Sequence, residues 1–171
     1  MLEQQIRIET DALTGVFSRM AYSDALKYYD REKNELPDGF AVFTFDINGL
    51  KAVNDSLGHD AGDELICGAA QCIDYIFHKT GRCYRTGGDE FVVLADNMDH
   101  SRAEEALLHL AHETKHWIGE IVFHLALSAG YALIKDYPGF SAEQIVREAD
   151  LAMYEAKAAY YKQVGRDRRR R

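Results

Sequence analysis

RCYRTGGDEFVVLA, residues 82–95, holds two short runs of strand-forming residues parted by Gly87-Gly88. Two glycines between such runs signal a hairpin, because a tight turn needs backbone angles that a β-carbon disfavours. The reading is an antiparallel pair over residues 82–86 and 90–95, with Asp89 at or beside the turn. Glycines there can adopt positive φ and let the backbone approach a ligand closely.

Upstream, residues 40–47 (FAVFTFDI) are nearly continuously apolar and rich in aromatic and β-branched side chains, as a strand buried on both faces would be. Its polar end is Asp46. A turn is expected around residues 54–62, then an amphipathic helix over 63–77 with Leu65, Ile66, Ala69, Ala70, Ile73, Ile76 and Phe77 on one side, closed by Gly81. Ser18 is an N-cap for a helix running to about Asn34, which Pro37-Asp38-Gly39 stops. Beyond the hairpin the spacing predicts a helix over 101–118 and a long alternating strand over 121–134. A last helix follows from 141 to about 161, opened by the capping pattern Ser141-Ala142-Glu143-Gln144. Helices and strands alternate without an internal repeat, so the chain reads as one α/β sandwich.

The composition allows this and excludes other classes. With 171 residues, 47% hydrophobic and 28% charged, the chain fits one domain with its own core. A net charge of -8 argues against nucleic-acid binding, since a phosphate backbone is held by clustered Lys and Arg. The basic run over residues 166–171, broken only by Asp167, reads as a solvated tail. No apolar stretch approaches the roughly 20 residues that cross a bilayer, so no membrane contact is expected of this domain. Cys67, Cys72 and Cys83 lack a Cys-x-x-Cys pair, which points away from a disulfide framework or zinc site and toward a reducing cytosol. His109, His112 and His116 read as one exposed helix face, and Trp117, Tyr28, Tyr29, Tyr160 and Tyr161 as packing or surface residues.

A strand that ends in a carboxylate beside a hairpin carrying another can hold a divalent cation. Mg²⁺ prefers hard oxygens, usually one or two carboxylates completed by phosphates. Asp46 and Asp89 are the candidate ligands, although either alone would read as a turn or capping residue.

Four ordered blocks, DALTGVFSR (11–19), FDINGLKAVNDSLGHDAGD (45–63), YRTGGDEFVVL (84–94) and ADLAMYEAK (149–157), resemble GGDEF domains over almost the whole chain. The resemblance implies an α/β fold with a ferredoxin-like core related to the nucleotide cyclases and polymerases, a central, mainly antiparallel sheet flanked by helices. It implies a diguanylate cyclase, an enzyme condensing two GTP into cyclic di-GMP with release of two pyrophosphates, working as a homodimer with one GTP per half-site. The implied cofactor is Mg²⁺, with Mn²⁺ as an alternative ion. The resemblance assigns Asp46 and Asp89 as side-chain metal ligands and the Ile47 carbonyl as a third contact. It also gives Asp89 a part in deprotonating the attacking 3′-hydroxyl and includes Glu90 in the catalytic motif.

Asn54 and Asp63 would read guanine. Its edge offers two adjacent N–H donors to a carboxylate, which adenine lacks, and an amide supplies both donor and acceptor. His59 stands at a substrate-contact position of the family and is otherwise a turn histidine. Lys51 and Lys157, the amides of Gly49 and Leu50, and the Gly87-Gly88 backbone would face phosphate. Outside these blocks either lysine is a solvated helix residue.

The pattern departs from the family in places. Asn48 stands where a second acid is common, and Gly49-Leu50 replace a bulkier pair. Gly165-Arg166 follows Lys157 at a distance, where many members place Gly-Arg at once. Residues 78–81, His-Lys-Thr-Gly, occupy the place of the Arg-x-x-Asp of product-inhibited members, so that inhibitory site is expected to be absent. The expected organisation is residues 1–10 as the end of a linker helix from an upstream sensory or regulatory domain, 11–167 as the GGDEF domain and 168–171 as a basic tail. The expected location is cytoplasmic, whether or not the parent protein is membrane-anchored. The competing reading is a catalytically silent GTP-binding module acting on a partner domain.

Overall fold

The computed structural model describes residues 9–31 and 36–169. Residues 1–8 of the expected linker helix, residues 32–34 of the expected first helix and residues 170–171 of the tail lie outside them.

Strand β1, Ala41–Ile47, is buried along its whole length, as its nearly continuous apolar run predicts. Successive side chains of a strand point to opposite faces. Ala41, Phe43, Phe45 and Ile47 accordingly enter one core, and Phe40 and Val42 enter a second core behind the sheet. The same alternation carries Thr44 and Asp46 to the second face. β1 pairs antiparallel with β3, Glu90–Ala95, on one side and with β4, Leu127–Leu133, on the other. β2, Gly81–Arg85, pairs antiparallel with β3, giving the order β2-β3-β1-β4 of a ferredoxin-like sheet.

Helix α1 spans Arg19–Arg31 and α2 spans Leu50–Leu57; α3 spans His59–Phe77, α4 His100–His116 and α5 Ala142–Arg169. α3 and α4 fill the first core, where the Phe77 ring lies 4.7 Å from Phe43 and 5.8 Å from Phe45. α1 and α5 fill the second. Both expected caps form. The Ser18 hydroxyl accepts the Ala21 N–H at 3.2 Å, and Ser141 and Gln144 exchange bonds of 2.8 and 3.2 Å in a reciprocal capping box.

Four expectations need correction. The turn placed at residues 54–62 is two helices broken at Gly58 alone, which adopts φ 88. Asn, Asp and Ser suggested a turn there, yet Leu50 and Val53 pack on the core and hold the segment helical. The strand expected over 121–134 forms only from Leu127. The N–H groups of Glu120, Ile121 and Val122 go instead to the Glu64 carboxylate of α3, leaving no ladder. Gly81, expected to close a helix, opens β2, where its hydrogen lies against the Leu94 carbonyl, 2.5 Å from where a β-carbon would sit. The last helix runs through Gly165 to Arg169, with Gly165 outside the left-handed region that would end it.

Gly130 fixes how α5 lies on the sheet. A β-carbon there would stand 2.1 Å from the Met153 nitrogen and 2.4 Å from the Ala149 carbonyl. Backbone thus meets backbone across β4 and α5. One helical turn beyond Met153 is Lys157, which the close approach delivers to Asp46.

Candidate active site

The DALTG block is a turn that braces the hairpin. Asp11 accepts the Thr14 N–H at 2.9 Å and its hydroxyl at 2.7 Å. The same carboxylate takes Arg85 Nη1 at 3.2 Å, while Arg85 Nη2 donates to the Gly88 carbonyl at 3.0 Å. Burial alone would push the Asp11 carboxyl up; the Thr14 bonds and the Arg85 charge outweigh it and hold it below the usual carboxylate range. Asp11 and Arg85 lay inside recognised blocks, but only the fold brings them together across 74 residues.

The hairpin tip is also tied to β1. Ile47 donates its N–H to the Asp89 carbonyl at 2.9 Å, and Thr86 donates to the Glu90 carbonyl at 3.0 Å. Neither Gly87 nor Gly88 uses positive φ; the glycines that do are Gly15, Gly49, Gly58 and Gly139. What Gly88 contributes is open space, with no atom within 4 Å of where its β-carbon would be.

These ties bring carboxylates together. Asp46, Asp89 and Glu90 each offer an oxygen within 4.8 Å of the others. Asp46 is 4% exposed, and its Oδ1 has no hydrogen-bond partner among the described residues, while Oδ2 takes Lys157 Nζ at 2.8 Å. Burial first, and then the Asp89 charge, raise the Asp46 carboxyl above its ordinary value against the pull of Lys157. Glu90 is raised by burial and then by Asp46, Asp89 and Asp150. Lys157 rises through its bond to Asp46. Three clustered carboxylate oxygens, one of them buried and without a partner among the described residues, fit a divalent cation, whose charge would offset their repulsion. Lys157, expected at phosphate, here closes on the first of these carboxylates.

The remaining candidates line the start of α2 and α3. Gly49 is the left-handed N-cap of α2, at φ 77. Leu50 is half-buried against the core, and Lys51 is exposed in the first turn. Asn54 lies over Gly62, where a β-carbon would come within 1.8 Å of its Oδ1. The amide is thereby held beside the residue preceding Asp63, which is exposed on α3. His59 is exposed at the helix start. Asn48 is buried; its side-chain Oδ1 accepts the Ser128 hydroxyl at 2.8 Å, its backbone N–H donates to the Ala126 carbonyl at 2.9 Å, and its Nδ2 has no partner among the described residues.

Tyr161 lies exposed at the surface, as expected. Its hydroxyl also accepts the Gly49 N–H at 3.1 Å. No pattern along the chain joins residues 112 positions apart, so the contact had no signal in the sequence. His109, His112 and His116 lie exposed on α4, as expected.

The sequence model of the family described as "Diguanylate cyclase, GGDEF domain" matches residues 8–163. A Vibrio cholerae protein named "Diguanylate cyclase" is 30% identical over 154 residues, which cover 86% of this chain and 46% of that protein. The Escherichia coli "Cyclic di-GMP phosphodiesterase PdeR" is 32% identical over 163 residues, 91% of this chain and 24% of that protein. The chain therefore spans about half the length, or less, of these curated relatives. Among solved structures, the GGDEF domain of DgcB from Caulobacter crescentus, in complex with c-di-GMP, superposes with a TM-score of 0.78 at 26% identity, covering 88% of this chain and 91% of that one. The match runs through the braced hairpin, the carboxylate at the end of β1 and the helix bearing Lys157, and the chain belongs to the diguanylate cyclase GGDEF domain family.

Proposed function

We propose that the chain is a diguanylate cyclase domain that condenses two GTP into cyclic di-GMP. Each 3′-hydroxyl oxygen bonds to the α-phosphorus of the other GTP as two pyrophosphates leave, and the two domains of a homodimer hold one GTP each. The observation that carries this is the cluster of Asp46, Asp89 and Glu90 beside an open hairpin. A Mg²⁺ ion held by Asp46, Asp89 and the Ile47 carbonyl, or Mn²⁺ in its place, would neutralise charge developing on the phosphates. Asp89 accepts the proton of the attacking hydroxyl, with Glu90 beside it. Asn54 and Asp63 read guanine, with His59 at its edge. Lys51, Lys157 and the Leu50 amide hold the triphosphate, with the Gly49 N–H reaching it through the hydroxyl that accepts it, and Gly87 and Gly88 give it room. The reaction draws on cytoplasmic GTP, and an upstream sensory or regulatory domain sets how often two domains meet.

Incubation with GTP and Mg²⁺ at a concentration that favours dimers should yield cyclic di-GMP on chromatography. Asp46→Asn and Asp89→Asn should each lower the rate by about a hundredfold or more, as loss of a charge-stabilising group does. Undiminished turnover in both variants would remove the assignment. A GTP-binding module without turnover is the second reading, favoured by phosphodiesterase-named relatives that carry a matching region. Tight GTP binding with no product, even in a forced dimer, would decide for it.

A further inference from the structure

The last helix reaches the nucleotide end of the domain twice. Lys157 closes on Asp46, and four residues on, the Tyr161 hydroxyl accepts the Gly49 N–H. Residues four apart share one face of a helix, so both groups approach from the same side. Gly49 has no side chain with which to cap α2. The long helix instead supplies an oxygen to the N–H of Gly49 itself, the group that an N3 side chain takes in a capping box, and so ties α5 to the loop expected to face phosphate.

A phenol has one proton to donate and two lone pairs to accept with. With one lone pair taken by Gly49, its proton points elsewhere, and no acceptor for it is found among the described residues. The residue is 47% exposed, so the hydroxyl is not sealed into the fold. A donor already accepting a hydrogen bond is polarised and donates more strongly. This one stands beside Lys157, at the loop that follows Asp46 by three residues. The chemistry that such a donor recognises is an anionic oxygen. Tyr160 packs edge-on against the same ring at 5.3 Å and has no such contact with the loop.

We propose that Tyr161 is a substrate-positioning residue: its hydroxyl keeps the Gly49 N–H and donates its own proton to a phosphate oxygen of GTP. The inference rests on reading the site as a GTP site. A phenol adds no charge, so its contribution is geometric. It holds the triphosphate in register with the carboxylate cluster, while Lys157 supplies the Coulomb attraction. If the phenol merely blocked the amide, phosphate would have to displace it, and removing the hydroxyl would tighten binding instead.

Calorimetric titration of the parent and Tyr161→Phe with Mg²⁺-GTP and with guanosine tests this. Tyr161→Phe should bind GTP about tenfold more weakly, as loss of a hydrogen bond to a charged group does. It should bind guanosine as the parent does, raise KM by a similar factor and change kcat less. Tyr160→Phe, with the same loss of one oxygen, should behave as the parent. Equal GTP affinity in Tyr161→Phe, tighter GTP binding, or a loss of guanosine affinity as large as that of GTP would each overturn the proposal. A parent that binds no GTP would instead overturn the reading of the whole site. A parent that binds GTP and a Tyr161→Phe that binds it equally would remove only the role of Tyr161.

Discussion

Replacing Gly130 by alanine tests the connection between sheet packing and site. The added methyl would sit 2.1 Å from the Met153 nitrogen, 2.4 Å from the Ala149 oxygen and 2.7 Å from the Ala152 carbonyl carbon. All three are helix backbone, which cannot rotate aside. Restoring ordinary contact moves α5 outward by about 1.3 Å, and small-to-large changes in packed interiors cost roughly 1–3 kcal/mol. At about 2 kcal/mol the melting temperature of a domain this size falls roughly 4–8 °C. The same displacement pulls Lys157 from Asp46 and Tyr161 from Gly49, now at 2.8 and 3.1 Å. GTP affinity should therefore fall together with stability. Gly88→Ala is the control, since nothing lies within 4 Å of its methyl; its melting temperature should match the parent, and only GTP handling should change. A Gly130→Ala protein that melts within about a degree of the parent and binds GTP normally would refute the claim that backbone contact sets the helix.

Arg85→Met keeps bulk while dropping the bonds to Asp11 and Gly88. With the Arg85 and Asp11 side chains 17% and 22% exposed, urea denaturation should show a loss of about 1–2 kcal/mol, and GTP should bind more weakly; an unchanged midpoint would mean that the turn does not brace the hairpin. Burial and neighbouring carboxylates raise Glu90 in the folded protein. A raised group favours folding fully below its unfolded pKa and loses that contribution as pH climbs through its folded value. Metal-free protein should thus lose stability as pH rises above the usual glutamate range, Glu90→Gln should flatten that slope in thermal melts, and Mg²⁺ should stabilise more at neutral than at acid pH; equal slopes in parent and variant would reject the cluster. Glu64→Ala should speed amide exchange at Ile121 and Val122, whose N–H groups it holds at 2.9 and 2.7 Å, while β1 amides stay protected; unchanged exchange there would show the clamp to be idle.

Local chemistry was legible where one residue type or period decides the outcome. The apolar run of β1, the two-glycine hairpin and the two capping signals all form where expected. The α2 segment was misread because its turn-forming residues and its core-facing Leu50 and Val53 compete, and only packing settles which prevails. The strand expected over 121–134 starts late because the Glu64 carboxylate claims the amides of Ile121 and Val122, and alternation cannot foresee a side chain 57 residues away.

The amino-acid sequence alone determined the family, the order of elements and the identity of the carboxylates, because short blocks of fixed residue types carry the hairpin, the strand end and the helix lysine. The tertiary structure decided which of those groups meet. Strand alternation sends Asp46 to the face of α5, the missing side chain of Gly130 lets that helix come close, and Arg85 ties the opening turn to the hairpin. Lys157 on Asp46 and Tyr161 on Gly49 follow from that packing. Contacts between residues more than a hundred positions apart are set by how layers stack, which no local period encodes.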